Sequence, residues 1–191
     1  MPGSVPPVAD EGEGLMSYLE QQRHVLRVAA FGLADEQARA TPTPSPLSVG
    51  GLIKHCAFVE RAWMDNVLER KRTGTENEYE SGFRLEPGET LADVFALYRE
   101  AARETDAVIA DIDDLGRPVP IPDAPWFPKD IESWSVRWVL LHLIEETARH
   151  AGHADIVREA IDGATAFPLM AAAENWPVTP WMQPWQPPDA Q

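Results

Sequence analysis

The chain has 191 residues, with 16 Lys+Arg against 31 Asp+Glu and a formal charge of −15. This length suits one domain that buries a core without disulfide or metal staples, and 44% hydrophobic and 25% charged residues are proportions of a folded globular chain. The negative charge argues against nucleic acid and anionic membrane surfaces as partners, no apolar run of about 18 residues exists to cross a membrane, and the single cysteine, Cys56, cannot pair within the chain, which suits the reducing cytoplasm.

Residues 1–10 read as a flexible acidic arm, with no apolar segment of the kind a secretory signal needs. A first helix is predicted from about Glu11 to Phe31. Leu15, Leu19, Leu26 and Ala30 recur at steps of four or seven, and Gly32 can stop it. Asp35–Arg39 can add one short turn. In Thr41-Pro-Thr-Pro-Ser-Pro46 each proline disfavours helix in the residue before it, so the segment is an extended connector. Ser48 is a good N-cap for a second helix reaching about Arg70. Val49, Leu52, Cys56, Val59, Trp63 and Val67 form its apolar stripe.

Residues 71–88 are polar and read as a long loop, and the acidic runs at 11–13 and 76–80 as solvated surface. Thr90 and Asp93 form a capping pattern before a third helix, lined by Val94, Tyr98, Ala101, Thr105, Val108 and Ile112. Residues 113–132 are a second long loop containing the exposed-looking Trp126–Phe127 pair; loops of this length in a domain are often functional. A fourth helix starts near Ser133 or Ser135 and ends at Gly163. No strand-like alternation is visible. Residues 11–163 therefore make an all-α four-helix bundle. Residues 164–191 read as an extended Pro/Trp-rich tail over the bundle or against a second copy, as in a homodimer.

Chemistry concentrates in the fourth helix, HLIEETARHAGHADIVREAIDG from His142. At about 100° per residue, with His142 at 0°, Glu146 falls near 40°, His150 near 80° and His153 near 20°. Val139 and Val157 share this sector, so the polar stripe faces the bundle or its mouth. Burying so many titratable groups is costly unless they pair or hold a cation. Both a polar network and a metal site fit the spacing alone. His55 on the second helix also faces inward, and facing bundle helices can share one ion. Two imidazoles and one carboxylate, His55, His150 and Glu146, leave coordination positions open, the pattern of a catalytic centre.

The segments LSVGGLIKHCAFVERAW (47–63) and HLIEETARHAGHADIVREAIDG (142–163) resemble the DinB superfamily, and within it the DUF664 branch and mycothiol-dependent maleylpyruvate isomerase relatives. The resemblance covers about residues 12–163. It implies an up-down-down-up bundle holding a divalent metal, zinc first and nickel as the alternative. Many relatives carry a third histidine at a position where this chain, like the mycothiol-dependent isomerases, has a glutamate, Glu146. Carried over residue by residue, the ligands are His55, Glu146 and His150. His142, Glu145 and His153 are neighbouring or outer-sphere groups, near enough to exchange into a ligand position.

The resemblance thus implies a metal-dependent transferase that uses a low-molecular-weight thiol, mycothiol, against a small electrophile in the cytoplasm. Trp126, Phe127 and Trp134 are candidates to line the electrophile pocket. A metal-dependent hydrolase with His153 or Glu145 as base is one alternative. The other is a non-catalytic metal-binding module for stress response or interaction. Cys56 reads best as a small buried hydrophobe, and His24 as a surface or boundary residue without an evident partner.

Overall fold

Each long helix opens on a side chain that accepts one of its unpaired amides. Asp10 accepts from Glu13 N in α1 (Glu11–Ala29), whose first turn also carries Glu11 and Glu13. Ser48 accepts from Gly51 N in α3 (Val49–Val67), Thr90 from Asp93 N in α4 (Leu91–Ala110), and Ser135 from Trp138 N in α5 (Val136–Asp162). Gly163 closes α5 at φ +77°, a conformation that glycine adopts without strain. Short α2 (Asp35–Arg39) and α6 (Ala166–Ala173) complete the helices among the described residues. The structure, a computed structural model, describes residues 3–71 and 81–187. The middle of the 71–88 loop, with the acidic run at 76–80, lies outside the described residues, as do residues 1–2 and 188–191.

Long-range pairs set the helix directions. Arg137 of α5 binds Glu11 of α1, and Arg158 of α5 donates to the carbonyls of Ala29 and Phe31, so α1 and α5 run parallel. Lys54 of α3 binds Glu89 just before α4, and Arg70 after α3 binds Glu104, so α3 and α4 also run parallel. His55 of α3 meets Glu146 of α5, and Trp63 of α3 meets Trp138 of α5, so the two pairs oppose each other. The order is up-down-down-up.

Two differences from the sequence reading stand out. The 113–132 loop and its flank contain a two-stranded antiparallel ribbon, β1 (Pro118–Pro120) and β2 (Ser133–Ser135), with Val119 opposite Trp134. Three-residue strands carry too little alternation to be seen in sequence, and Pro118 and Pro120 have no N–H to donate. The tail is not extended throughout. Its Ala-rich start forms α6, which packs Leu169 and Met170 against Val28 of α1. Trp185 then covers Gly32, where a Cβ would lie 2.7 Å from the indole. His24, expected to lack a partner, is bound by Glu174 of this tail at 2.7 Å. The sequence could not show that a residue 150 positions away returns to it.

Besides the small cluster under α6, the core holds two larger apolar clusters. One holds Leu26, Leu52, Ile53, Cys56, Tyr98, Ala151 and Ala154, the other Leu19, Trp63, Met64, Ile109, Val139 and Leu143. Between them a layer of buried polar groups crosses the bundle: Arg23, His55, Glu60, Thr105, Thr147 and His150. Arg23 binds Glu60 through both Nε and Nη2, and Asp106 through Nη1. Burial pushes the Glu60 carboxyl up while Arg23 pulls it down. Removing one partner strands the other charge in the core, at a cost of about 3–5 kcal/mol. Arg23→Met is therefore expected to lower the urea midpoint sharply, and Arg23→Met with Glu60→Leu to recover most of the loss. A double variant as unstable as the single one would show that the ion pair is not the source.

Candidate metal centre

The candidate ligands come from two antiparallel helices at the level of the polar layer. On α3, His55 follows the apolar positions Leu52 and Ile53, and so faces inward. On α5, Glu146 and His150 stand one turn apart, a spacing that aligns two side chains on one face. Glu146 Oε1 lies 3.1 Å from His55 Nε2 and 3.2 Å from His150 Nε2. One donor atom from each of the three residues lies within 4.8 Å of the others. Donor atoms about 2.0–2.2 Å from a tetrahedral zinc ion lie about 3.4 Å apart. The donor set and its span thus fit a divalent ion with two imidazoles and one carboxylate.

The electrostatics suit that use. Hydrogen bonds from His150 and His55 hold the Glu146 carboxyl well below the usual carboxylate range, against the opposing effect of burial. Burial pushes the His55 imidazole down, so the ring favours the neutral form that ligates metals. His150 Nδ1 lies 3.4 Å from His153 Nδ1. His150 Nε2 donates to Glu146 here; ligation of an ion would need the ring proton on Nδ1, which has His153 as its neighbour.

The other sequence-selected residues fall into three groups. His153 is exposed and stands behind His150. Glu145 is exposed and lies 3.6 Å from His142 Nδ1 and 3.8 Å from Arg149. Neither His142 nor His153 is joined to His55 and Glu146 in the group of candidate ligand atoms. His142 instead stacks on Trp138 at 5.1 Å and 12°, and Trp138 stacks on Trp134 at 3.8 Å and 7°. Trp63 meets Phe127, Trp134, Trp138 and His142 from the α3 side. Phe127 and Trp134 thus belong to an aromatic wall that reaches the helical turn preceding Glu146, whereas Trp126 is 69% exposed at its margin. Cys56 is buried, and burial pushes its thiol well above the ordinary value, so it remains protonated and packs as an apolar side chain.

Sequence reasoning missed Phe83. Its ring stacks on His55 at 3.8 Å and 19° and meets His150 edge-on at 5.8 Å. Nothing in residues 81–88 announces this contact. The available signal is the Gly50–Gly51 pair opening a helix, where two glycines cost helix propensity and so suggest close approach by another segment.

A pH dependence follows for metal-free protein. A carboxyl held below its unfolded value, about 4.5, contributes stability that is present above that value and lost as pH falls below it. The difference in urea midpoint between chelator-treated wild type and Glu146→Gln should therefore be constant near neutrality and shrink below about pH 4.5. A difference that stays the same down to pH 3 would show that the two imidazoles do not hold Glu146 ionised.

Comparison with known proteins agrees with this architecture. A crystal structure described as the conserved protein of locus from Enterococcus faecalis superposes with a TM-score of 0.63. It is 13% identical, and the match covers 82% of this chain and 100% of that one; at this identity the likeness concerns the fold. No curated protein matches the chain. A family model described as mycothiol S-transferase matches residues 14–163, which span α1 through α5 and contain His55, Glu146 and His150. By that match the chain belongs to the mycothiol S-transferase family, within the DinB-like superfamily.

Proposed function

We propose that the protein is a metal-dependent S-transferase that joins a low-molecular-weight thiol, mycothiol, to a small electrophile in the cytoplasm. The observation that carries this reading is the convergence of His55 Nε2, Glu146 Oε1 and His150 Nε2 in a chain of the mycothiol S-transferase family. His55, Glu146 and His150 would hold a divalent ion, zinc first and nickel as the alternative, which would supply Lewis acidity to lower the pKa of a thiol.

The protein's own residues define the remaining conditions. Burial favours the neutral imidazole at His55, and burial of His55 and His150 beside the apolar clusters keeps competing water away from them. Glu146 sets the charge. Its carboxylate would cancel one positive charge of a bound divalent ion, a charge that three imidazoles would leave in place. Glu146 is the most accessible of the three side chains, at 22% against 8% for His55 and 10% for His150. Substrates therefore approach past Glu146. Its next turn carries His142 and the aromatic wall of Trp138, Trp134 and Phe127, a surface for a planar or apolar electrophile.

Elemental analysis after zinc reconstitution tests the ligand set. Wild type should retain about one ion per chain and His150→Ala should lose it; equal retention would remove His150 from the set. Chelation should abolish consumption of mycothiol with a chosen electrophile while leaving the helical circular dichroism intact, as for a catalytic metal rather than one required for folding. Ester hydrolysis that needs no thiol would assign the hydrolase reading instead.

The role of Glu146 has its own test. Glu146→His should keep the metal, because imidazole is a comparable zinc ligand. It should also move the acid limb of thiol consumption to lower pH and slow turnover, since one negative charge is gone. Full metal content and an unchanged pH profile in both Glu146→His and Glu146→Ala would exclude Glu146 from the centre.

A further inference from the structure

Phe83 reaches His55 by a route that demands an unusual local sequence. The first turn of α3 contains Gly50 and Gly51. A Cβ at position 51 would lie 1.9 Å from the carbonyl oxygen of Phe83 and 2.5 Å from its carbonyl carbon. Both are backbone atoms, so no rotamer change relieves the clash. A Cβ at position 50 would lie 3.1 Å from Ala38 O and 3.2 Å from the Leu85 side chain. Gly51 thus forms a notch in α3 that admits the Phe83 carbonyl, and Gly50 beside it lets Ala38 and the Leu85 side chain close in.

The segment is also fastened on the far side of Phe83. Leu85 is buried in the first apolar cluster. Lys54 Nζ donates to Arg84 O and to both oxygens of the Glu89 carboxylate. Arg39 donates to Leu85 O and Glu89 O. These side chains come from α2 and α3, so the backbone carrying Phe83 is fixed to the same helix that carries His55. The Phe83 ring then covers one face of His55 and meets His150 edge-on. This is the flank on which the two imidazoles are nearly closed to solvent, opposite in character to the open approach past Glu146.

We infer that Phe83, seated through the Gly51 notch, is a positioning residue for the metal centre: it fixes the plane of the His55 imidazole so that Nε2 faces Glu146 and His150, and it seals that flank against water. The inference rests on the metal reading given above and adds to it a residue outside the ligand set. Residues that orient a ligating histidine typically change metal affinity about 10- to 100-fold when removed. A stacked ring acts on orientation without any change of charge, so its effect should appear in ligand geometry as well as in affinity.

The test uses full-length protein, cobalt(II) as a spectroscopic substitute for zinc, and a competing chelator to measure affinity. Phe83→Ala should bind cobalt about 10- to 100-fold more weakly than wild type and show an altered visible ligand-field spectrum. Phe83→Tyr keeps the stacked ring and should restore both. Gly51→Ala should weaken binding in the same direction with Phe83 intact. Because both changes act through one contact, Gly51→Ala combined with Phe83→Ala should be little weaker than the weaker single variant. In metal-free protein the ring-proton resonances of His55 should move when Phe83 is removed, since the overlying ring current is lost; this readout is independent of metal uptake, and circular dichroism confirms that each variant is folded. Unchanged cobalt affinity and spectrum in folded Phe83→Ala would overturn the positioning role while leaving the centre itself intact. No cobalt uptake by wild type would overturn the centre, and the positioning role with it.

Discussion

A layer of ionisable and polar side chains crosses the middle of the bundle, and the packing on either side serves to keep each charged member partnered. Arg23 and Glu60 satisfy one another on the α1–α3 side, with Asp106 at the edge. His55, Glu146 and His150 satisfy one another on the α3–α5 side. Charged groups at this depth are tolerated only in partnership. The two apolar clusters above and below supply the burial that holds the helices in register. The candidate centre is thus one of two partnered charged groups inside the bundle.

The family relationship and the geometry support the same chemistry from different directions. The family match spans all four long helices and says nothing of any particular atom. The geometry brings three donor atoms together without naming a cosubstrate. Their combination gives a compact centre with one accessible edge, at Glu146, continuous with stacked aromatic rings.

What could be read from the sequence divides along chain distance. Ser48, Thr90 and Ser135 marked helix starts because capping is local, and Gly163 marked a helix end for the same reason. His150 could be placed beside Glu146 because four residues make one turn. His55 required a further step, since it meets Glu146 across 91 positions. The inward-facing stripe of α3 together with the motif resemblance supplied that step. The Arg23–Glu60 pair, the return of Glu174 to His24 and the stacking of Phe83 on His55 had no such local trace. Each joins distant segments through one contact, and residue type alone does not specify a partner. The β1–β2 ribbon escaped notice because three residues are too few to establish a period.

The parallel arrangement of α3 and α4 has a topological consequence. An antiparallel pair can be joined by a tight turn, but here the chain leaves α3 at one end of the bundle and enters α4 at the other, where Lys54 meets Glu89. Residues 81–90, the described end of the connection into α4, carry Phe83 across the candidate ligands His55 and His150. Leu85 in the first apolar cluster and the bonds from Lys54 and Arg39 tie this segment to α2 and α3. The two parallel helices thus place over the His55 ring a side chain that neither of them carries, at the entropic cost of ordering a long connection.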